Sequence, residues 1–301
     1  MKENLLIIGT GALATLFAAR LTQAGHDVTM LGTWKDGLDA LRKDGVCLMD
    51  ASGNGQRFEV RVTDDPRDCI GTKDVLVLVK AWQTERVARQ LAECLADDGL
   101  AVTLQNGIGN YETLIRSLGS TRVALGSTTT GATLLGPGIV RAGGEGIISI
   151  QRNQLIGPVE AALKSATFNV QLVEDAQSLV WGKLVINAAI NPLTALLRVT
   201  NGELLERPSA RELMGKLARE AADVAEAENI ALPFDDPIAM AEDVARRTAA
   251  NQSSMLQDVL RNAPTEIDAI CGAVVRIGET RGKDTPINRV CWKLVRALEN
   301  K

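Results

Sequence analysis

Apolar positions fall into two regimes along the chain. In the first half they form short unbroken runs, and in the second they recur with helical periodicity. Leu5-Leu6-Ile7-Ile8 lacks the alternation of a strand with one wet face and predicts a strand buried on both faces. It runs directly into Gly9-Thr10-Gly11-Ala12-Leu13-Ala14, followed by a helix over 12–21 and a turn and second strand over 25–31. Further strands are predicted at 74–79, 100–104 and 123–126. Residues 46–62, with a Ser52-Gly53-Asn54-Gly55 turn, read as a hairpin or irregular connection. Ile139-Val140-Arg141 and 146–150 read as a hairpin joined by Ala142-Gly143-Gly144-Glu145. Helices are predicted at 158–166, 176–197, 209–229, 237–249, 265–281 and 286–299. The expected fold is therefore α/β: a parallel-sheet domain over 1–174, then an all-α domain over 175–301.

The glycine motif gives the first half a chemical reading. G-x-G-x-x-A between a strand and a helix is the dinucleotide-binding fingerprint of a Rossmann-type βαβ unit. Gly9 permits the tight turn, Gly11 lets backbone approach a pyrophosphate, and Ala14 keeps the helix close to the sheet. The free N–H groups at the helix start face the anion. Neither an acid nor a cation stands at the end of the second strand, where Gly32-Thr33-Trp34-Lys35 reads as a loop. Lys35 and Asp36 lie just beyond, and Lys35 leans the cofactor choice towards NADP(H) over NAD(H). Lys80-Ala81-Trp82-Gln83 and Gln105-Asn106-Gly107 follow strands on the same carboxyl edge. Lys80, Gln83 and Asn106 are thus candidates for ligand contact as well as ordinary turn residues.

Composition narrows the alternatives. The 301 residues suffice for two domains, and 46% apolar with 23% charged residues is ordinary for a globular protein. A net charge of −4 offers no basic stripe for nucleic acid or an anionic membrane. No apolar run is read as reaching transmembrane length. Cys47, Cys69, Cys94, Cys271 and Cys291 are scattered and odd in number, as in a reduced cytoplasmic protein, and suggest neither a disulfide framework nor a metal site. The chain has one histidine, His26, in a predicted turn. A histidine acid/base is therefore improbable, and a proton donor must be sought elsewhere.

The segment from Trp181 to Pro192 directs that search. It is apolar nearly all round except for Lys183, Asn187 and Asn191, one turn apart on one helix face. A desolvated lysine whose pKa falls towards working pH suits proton donation; a lysine paired to a carboxylate, with asparagines bonding backbone, would explain the same stripe. Ser253-Ser254 before an apolar segment reads as an N-cap or as a site for a substrate carboxylate. Thr265-Glu266-Ile267-Asp268 is read as opening the next helix.

These segments, in order, together with Asn201-Gly202-Glu203 and Ser253-Ser254-Met255-Leu256-Gln257-Asp258, resemble the ketopantoate reductases from residue 5 to about 290. The resemblance implies reduction of 2-dehydropantoate to (R)-pantoate by NADPH, a step towards pantothenate and coenzyme A. By position, Lys183 matches the general acid and Glu266 the second catalytic residue. Asn187, Asn191 and Asn201 match substrate-binding positions, Ser254 the position that holds the substrate carboxylate, and Asn106 one beside both nicotinamide and substrate. Gly9, Thr10, Gly11, Ala12, Leu13, Lys80 and Gln83 match cofactor contacts. Family members commonly carry an arginine for the 2′-phosphate where this chain has Thr33, leaving Lys35 to take that part.

The implied partner is a small 2-oxo acid, with no nucleic acid, membrane or metal, and with a homodimer left open. Two other readings compete. One is a two-domain hydroxy-acid dehydrogenase acting on another 2-oxo or 3-hydroxy acid, and the other a non-catalytic NAD(P)-sensing module. Asn187, Asn191 and the serine pair favour the ketopantoate type, and retention of both Lys183 and Glu266 disfavours the sensor.

Overall fold

The computed structural model describes residues 4–299. In chain order these form β1 (Asn4–Ile8), α1 (Ala12–Gln23), β2 (Asp27–Leu31), α2 (Lys35–Asp44), β3 (Val46–Met49), β4 (Gly55–Phe58), β5 (Arg61–Thr63), β6 (Thr72–Val77), α3 (Thr84–Cys94), β7 (Leu95–Thr103), α4 (Asn110–Leu118), β8 (Val123–Thr128), β9 (Ala132–Gly136), β10 (Ile139–Ala142), β11 (Ile147–Gln151), α5 (Gly157–Ser165) and β12 (Asn169–Val173). Seven helices follow: α6 (Ala176–Leu197), α7 (Glu203–Glu206), α8 (Pro208–Ala227), α9 (Pro237–Arg247), α10 (Ser254–Leu260), α11 (Cys271–Arg281) and α12 (Pro286–Glu299). Two compact units result. One holds the described chain up to Gln105 together with Asn110–Ala176; the other holds Asn106–Gly109 together with the chain from Gln177 onward.

The first unit is built on an eight-stranded sheet in the order β12-β11-β8-β7-β6-β1-β2-β5. Its strands are parallel from β5 through to β8, β11 turns antiparallel against β8, and β12 is parallel to β11. The unbroken run of β1 divides by its period of two: Leu5 and Ile7 join the core under α1 and α5, whereas Leu6 and Ile8 join the core under α3 and α4. A second sheet, β4-β3-β10-β9, packs on α1.

The expected hairpin of 139–150 does not form. β10 pairs antiparallel with β9, around a Gly136-Pro137-Gly138 turn in which Gly138 has φ +71°, and parallel with β3. β11 belongs to the main sheet, with Ile148 opposite Thr128. Gly143 donates to the Gly131 carbonyl at 2.8 Å, so the glycine-rich connection carries the β9–β10 pairing onward and does not fold back on itself. The hairpin of β3 and β4 is present.

In the second unit, α6 lies at the core with Trp181, Leu184, Val185, Ala188, Ala189 and Ile190 all buried. Contrary to the expectation that no apolar stretch is of membrane-spanning length, α6 is long and apolar enough to cross a bilayer; most of its surface is instead buried inside the protein. Pro192 sits within this helix and has no N–H for the Ala188 carbonyl, which the Cys271 thiol approaches at 3.9 Å. All five cysteines are buried and free.

The predicted helix at 265–281 begins only at Cys271, because Ile270 takes φ −104° and ψ −95° and because Thr265 and Asp268 bond to α12. The N-terminus of α12 is capped from another helix. Glu220 of α8 accepts from the backbone N–H groups of Ile287 (2.9 Å) and Asn288 (2.8 Å) and from the Asn288 side chain (2.9 Å). These N–H groups have no intrahelical acceptor, and a carboxylate there also meets the positive end of the helix dipole. Glu220→Ala is expected to destabilise the protein by about 1–3 kcal/mol. Urea unfolding followed by tryptophan fluorescence tests this, and an unchanged midpoint would contradict the assigned cap.

Candidate active site

In the α/β unit the glycine loop has the geometry its sequence predicts. Gly9 sits at φ +132°, and a Cβ there would lie 2.9 Å from the Leu78 carbonyl oxygen, so glycine is required for both conformation and space. Gly11 is the N-cap of α1 and brings no side-chain cap, and the space where its Cβ would stand is open. The first-turn N–H groups of α1, including those of Ala12 and Leu13, are therefore left for an external anion. Thr10 is buried against Gly32. This combination fits a pyrophosphate.

After β2 the expected loop is shorter than the sequence suggested. Trp34 is the N-cap of α2, its ring lies over Gly37, and Lys35 is the first helical residue. Lys35 is exposed and bonds Asp39 one turn on at 2.6 Å, which raises its pKa. Lys80 precedes and Gln83 ends a 3₁₀ turn (Ala81–Gln83) beyond β6, and Gln83 accepts from Arg86.

In the helical unit Lys183, Asn187 and Asn191 share one face of α6, with Asn191 buried and the other two half-buried. Although half-buried by surface area, Lys183 is densely surrounded by protein. Burial pulls its pKa down to about 8, and the nearby Glu266 carboxylate offsets part of that fall. The ammonium is thus poised near neutral pH.

Glu266 is buried within the turn that precedes α11 and accepts a hydrogen bond from the Asn106 side-chain nitrogen at 3.1 Å. Two further contacts dock the Asn106–Gly109 segment on this turn. Ile108 N–H donates to the Ala269 carbonyl at 3.1 Å, and a Cβ on Gly107 (φ +84°) would meet that same oxygen at 2.5 Å. The turn itself is tied to α12: Asp268 accepts from Trp292 Nε1 (2.6 Å) and from Arg296 (2.8 Å), and Thr265 N–H donates to Glu299 (2.6 Å). Sequence reasoning found Glu266, and Asp268 only as part of the same motif and not as its anchor; Trp292 and Arg296, which carry no motif, were missed.

The two serines separate. Ser253 is buried and is the N-cap of α10: its Oγ accepts from Leu256 N–H at 3.1 Å and lies 2.7 Å from Thr194 Oγ1 of α6. Ser254 is exposed and opens the helix. Asn201 is buried elsewhere in the fold, donating to Thr248 at 2.8 Å with its side-chain oxygen lacking a protein partner. His26 is 2.6 Å from Ser165 and takes no part in either polar group. An open groove of about 620 Å³ along α8 and α9 contains none of the stripe residues, and its Arg211 and Lys216 are already paired with Glu242 and Glu212.

Comparison with known proteins gives this arrangement a family. The model described as ketopantoate reductase PanE/ApbA matches residues 5–154, and its C-terminal counterpart matches 175–299. This chain belongs to the ketopantoate reductase family. The similarity extends over the whole length: a 2-dehydropantoate 2-reductase of Archaeoglobus fulgidus is 37% identical, covering 99% of this chain and 98% of the relative. A PanE/ApbA family ketopantoate reductase from Ralstonia eutropha has a similar fold, with TM-score 0.91 and 31% identity over 99% and 98% of the two chains. The fold is also that of a D-mandelate dehydrogenase solved with NADH and anilino(oxo)acetate, at TM-score 0.92 and 24% identity over 99% and 98%. This ketopantoate reductase family member is thus a dinucleotide-dependent oxidoreductase.

The division between the serines has a measurable consequence. Ser253→Ala should lower stability by about 1 kcal/mol or more through loss of the cap. Ser254→Ala should leave the unfolding midpoint where it is. Thermal melts of the two variants decide, and an equal loss in both would contradict the assignment of the cap to Ser253.

Proposed function

We propose that the protein reduces 2-dehydropantoate to (R)-pantoate with NADPH, a cytoplasmic step towards pantothenate and coenzyme A. The observation that carries this reading is the stripe of Lys183, Asn187 and Asn191 on a buried helix, beside a Glu266–Asn106 pair, in a chain whose single histidine is engaged with Ser165. Gly9, Thr10, Gly11, Ala12 and Leu13, with Lys80 and Gln83, would hold the dinucleotide, and Lys35 would approach its 2′-phosphate by exchanging its Asp39 partner. A bound NADPH supplies the hydride.

The remaining roles belong to the chain itself. Hydride addition builds negative charge on the carbonyl oxygen of the 2-oxo acid. The Lys183 ammonium, aimed there, stabilises that charge more in the transition state than in the ground state and then gives up a proton. A pKa near 8 makes this donation easy while keeping much of the lysine charged at neutral pH. Asn187 and Asn191 would hold the substrate hydroxyl and Ser254 its carboxylate, with Asn106 and Asn201 completing the recognition. Glu266 keeps the ammonium charged, opposing the effect of burial.

Steady-state oxidation of NADPH and of NADH across 2-dehydropantoate and other 2-oxo acids tests the reading. The highest kcat/KM is expected for NADPH with 2-dehydropantoate; a preference for NADH with a different 2-oxo acid would favour the hydroxy-acid dehydrogenase reading, whose fold this chain shares.

Because Lys183 must be protonated to donate, kcat/KM for reduction should decline as pH rises through about 8. Lys183→Ala should lower kcat by about 10²–10⁴. It should also abolish that decline while dinucleotide binding persists. Wild-type kcat with the same pH profile in the variant would assign the proton to another donor.

A further inference from the structure

We propose that Thr84 is a positioning residue that sets the placement of Asn106. The inference rests on the reading of Asn106 as a ligand contact. Thr84 is buried at the start of α3, and its hydroxyl meets three separate segments. It accepts from Gln105 Nε2 at 2.8 Å, and its single proton lies between the Ala81 carbonyl (2.8 Å) and the Asn110 side-chain oxygen (2.7 Å).

Gln105 and Asn110 are the residues that immediately precede and close the Asn106–Gly109 segment. Gln105 is itself fixed on the sheet edge, donating to the Val79 carbonyl at 3.1 Å and accepting from Thr103 Oγ1 at 2.9 Å. Both ends of a four-residue excursion are thus held by one hydroxyl. Gly107 and Gly109 at φ +84° and +101° shape the path between those ends.

The third partner, Ala81, belongs to the turn that carries Lys80 and Gln83, so the same oxygen fixes the relation between the two loops at the ends of β6 and β7. Removing a buried hydroxyl that meets this many groups takes one hydrogen-bond partner from Gln105 Nε2 and one from the Asn110 side-chain oxygen, loosening both ends at once. Nothing in the first-half sequence pattern marks Thr84, because its position after Gln83 is that of a helix-start threonine.

The test uses the full-length protein and three variants. Thr84→Val keeps the shape and removes the hydroxyl, Thr84→Ser restores it, and Asn106→Ala removes the group being positioned. Thr84→Val should lower kcat by about 10- to 100-fold, the scale of a displaced contact at the reacting centre. Thr84→Ser should stay within about threefold of wild type, and Thr84→Val combined with Asn106→Ala should be no slower than Asn106→Ala alone. Hydrogen exchange of the peptide spanning 105–110 should accelerate in Thr84→Val and not in Thr84→Ser, a readout independent of any substrate. Multiplicative loss in the double variant, failure of serine to rescue, or unchanged exchange would overturn the proposal. If wild type turns over no 2-oxo acid, the functional reading fails, while the exchange measurement still judges the role of Thr84.

Discussion

An ammonium set among the apolar residues of a core helix is the constraint on which the helical unit depends. Desolvation penalises the charged form of Lys183, and the Glu266 carboxylate returns only part of what burial removes. A well-packed methionine would suit α6 better in stability alone, since taking a charge out of water carries a desolvation cost. The fold tolerates the lysine because a carboxylate stands near it and because the same face carries Asn187 and Asn191, giving one polar stripe on an otherwise buried helix. A pKa of about 8 follows from that compromise. On the proposed reading, that property would make the lysine a proton donor at neutral pH.

The partner of that lysine is held more firmly than a turn residue needs to be. Glu266 has no helix of its own; its segment is pinned to α12 through Asp268 with Trp292 and Arg296, and through Thr265 with Glu299. Arg276 reinforces the arrangement by donating to the Asp268 carbonyl at 2.8 Å and standing 5.6 Å from the Trp292 ring. The Glu220 cap fixes the start of the same α12. A chain of ordinary stabilising contacts thus runs from α8 through α12 to the carboxylate beside Lys183, so the electrostatics of the site are set by helix packing as much as by adjacent residues.

How much of this was legible in the sequence depended on whether the deciding interactions were local. The strand at Leu5 to Ile8, the glycine turn and α6 were readable because periodicity and the G-x-G-x-x-A spacing are short-range signals. The glycine connection at 142–146 was misread as a hairpin because both flanking runs look like strands and only tertiary pairing shows that they join different sheets. Residues 265–270 read as helix because nothing local reveals that Thr265 and Asp268 bond α12. The capping signal at Ser253-Ser254 was visible, but the choice between adjacent hydroxyls was made by Thr194, 59 residues earlier. Lys35 was legible as a cation near the end of β2, but not its pairing with Asp39.

The central claim, that burial lowers the Lys183 ammonium towards neutral pH against the opposing charge of Glu266, can be measured on the residue itself. Carbon-13 NMR of the lysine Cε resonances, with Lys183 assigned by its loss in Lys183→Met, gives its titration in the free enzyme. The account predicts a midpoint near 8 that moves lower in Glu266→Gln, because removing the carboxylate removes a nearby negative charge that favours the charged form. A midpoint at the ordinary lysine value, unmoved by Glu266→Gln, would contradict it.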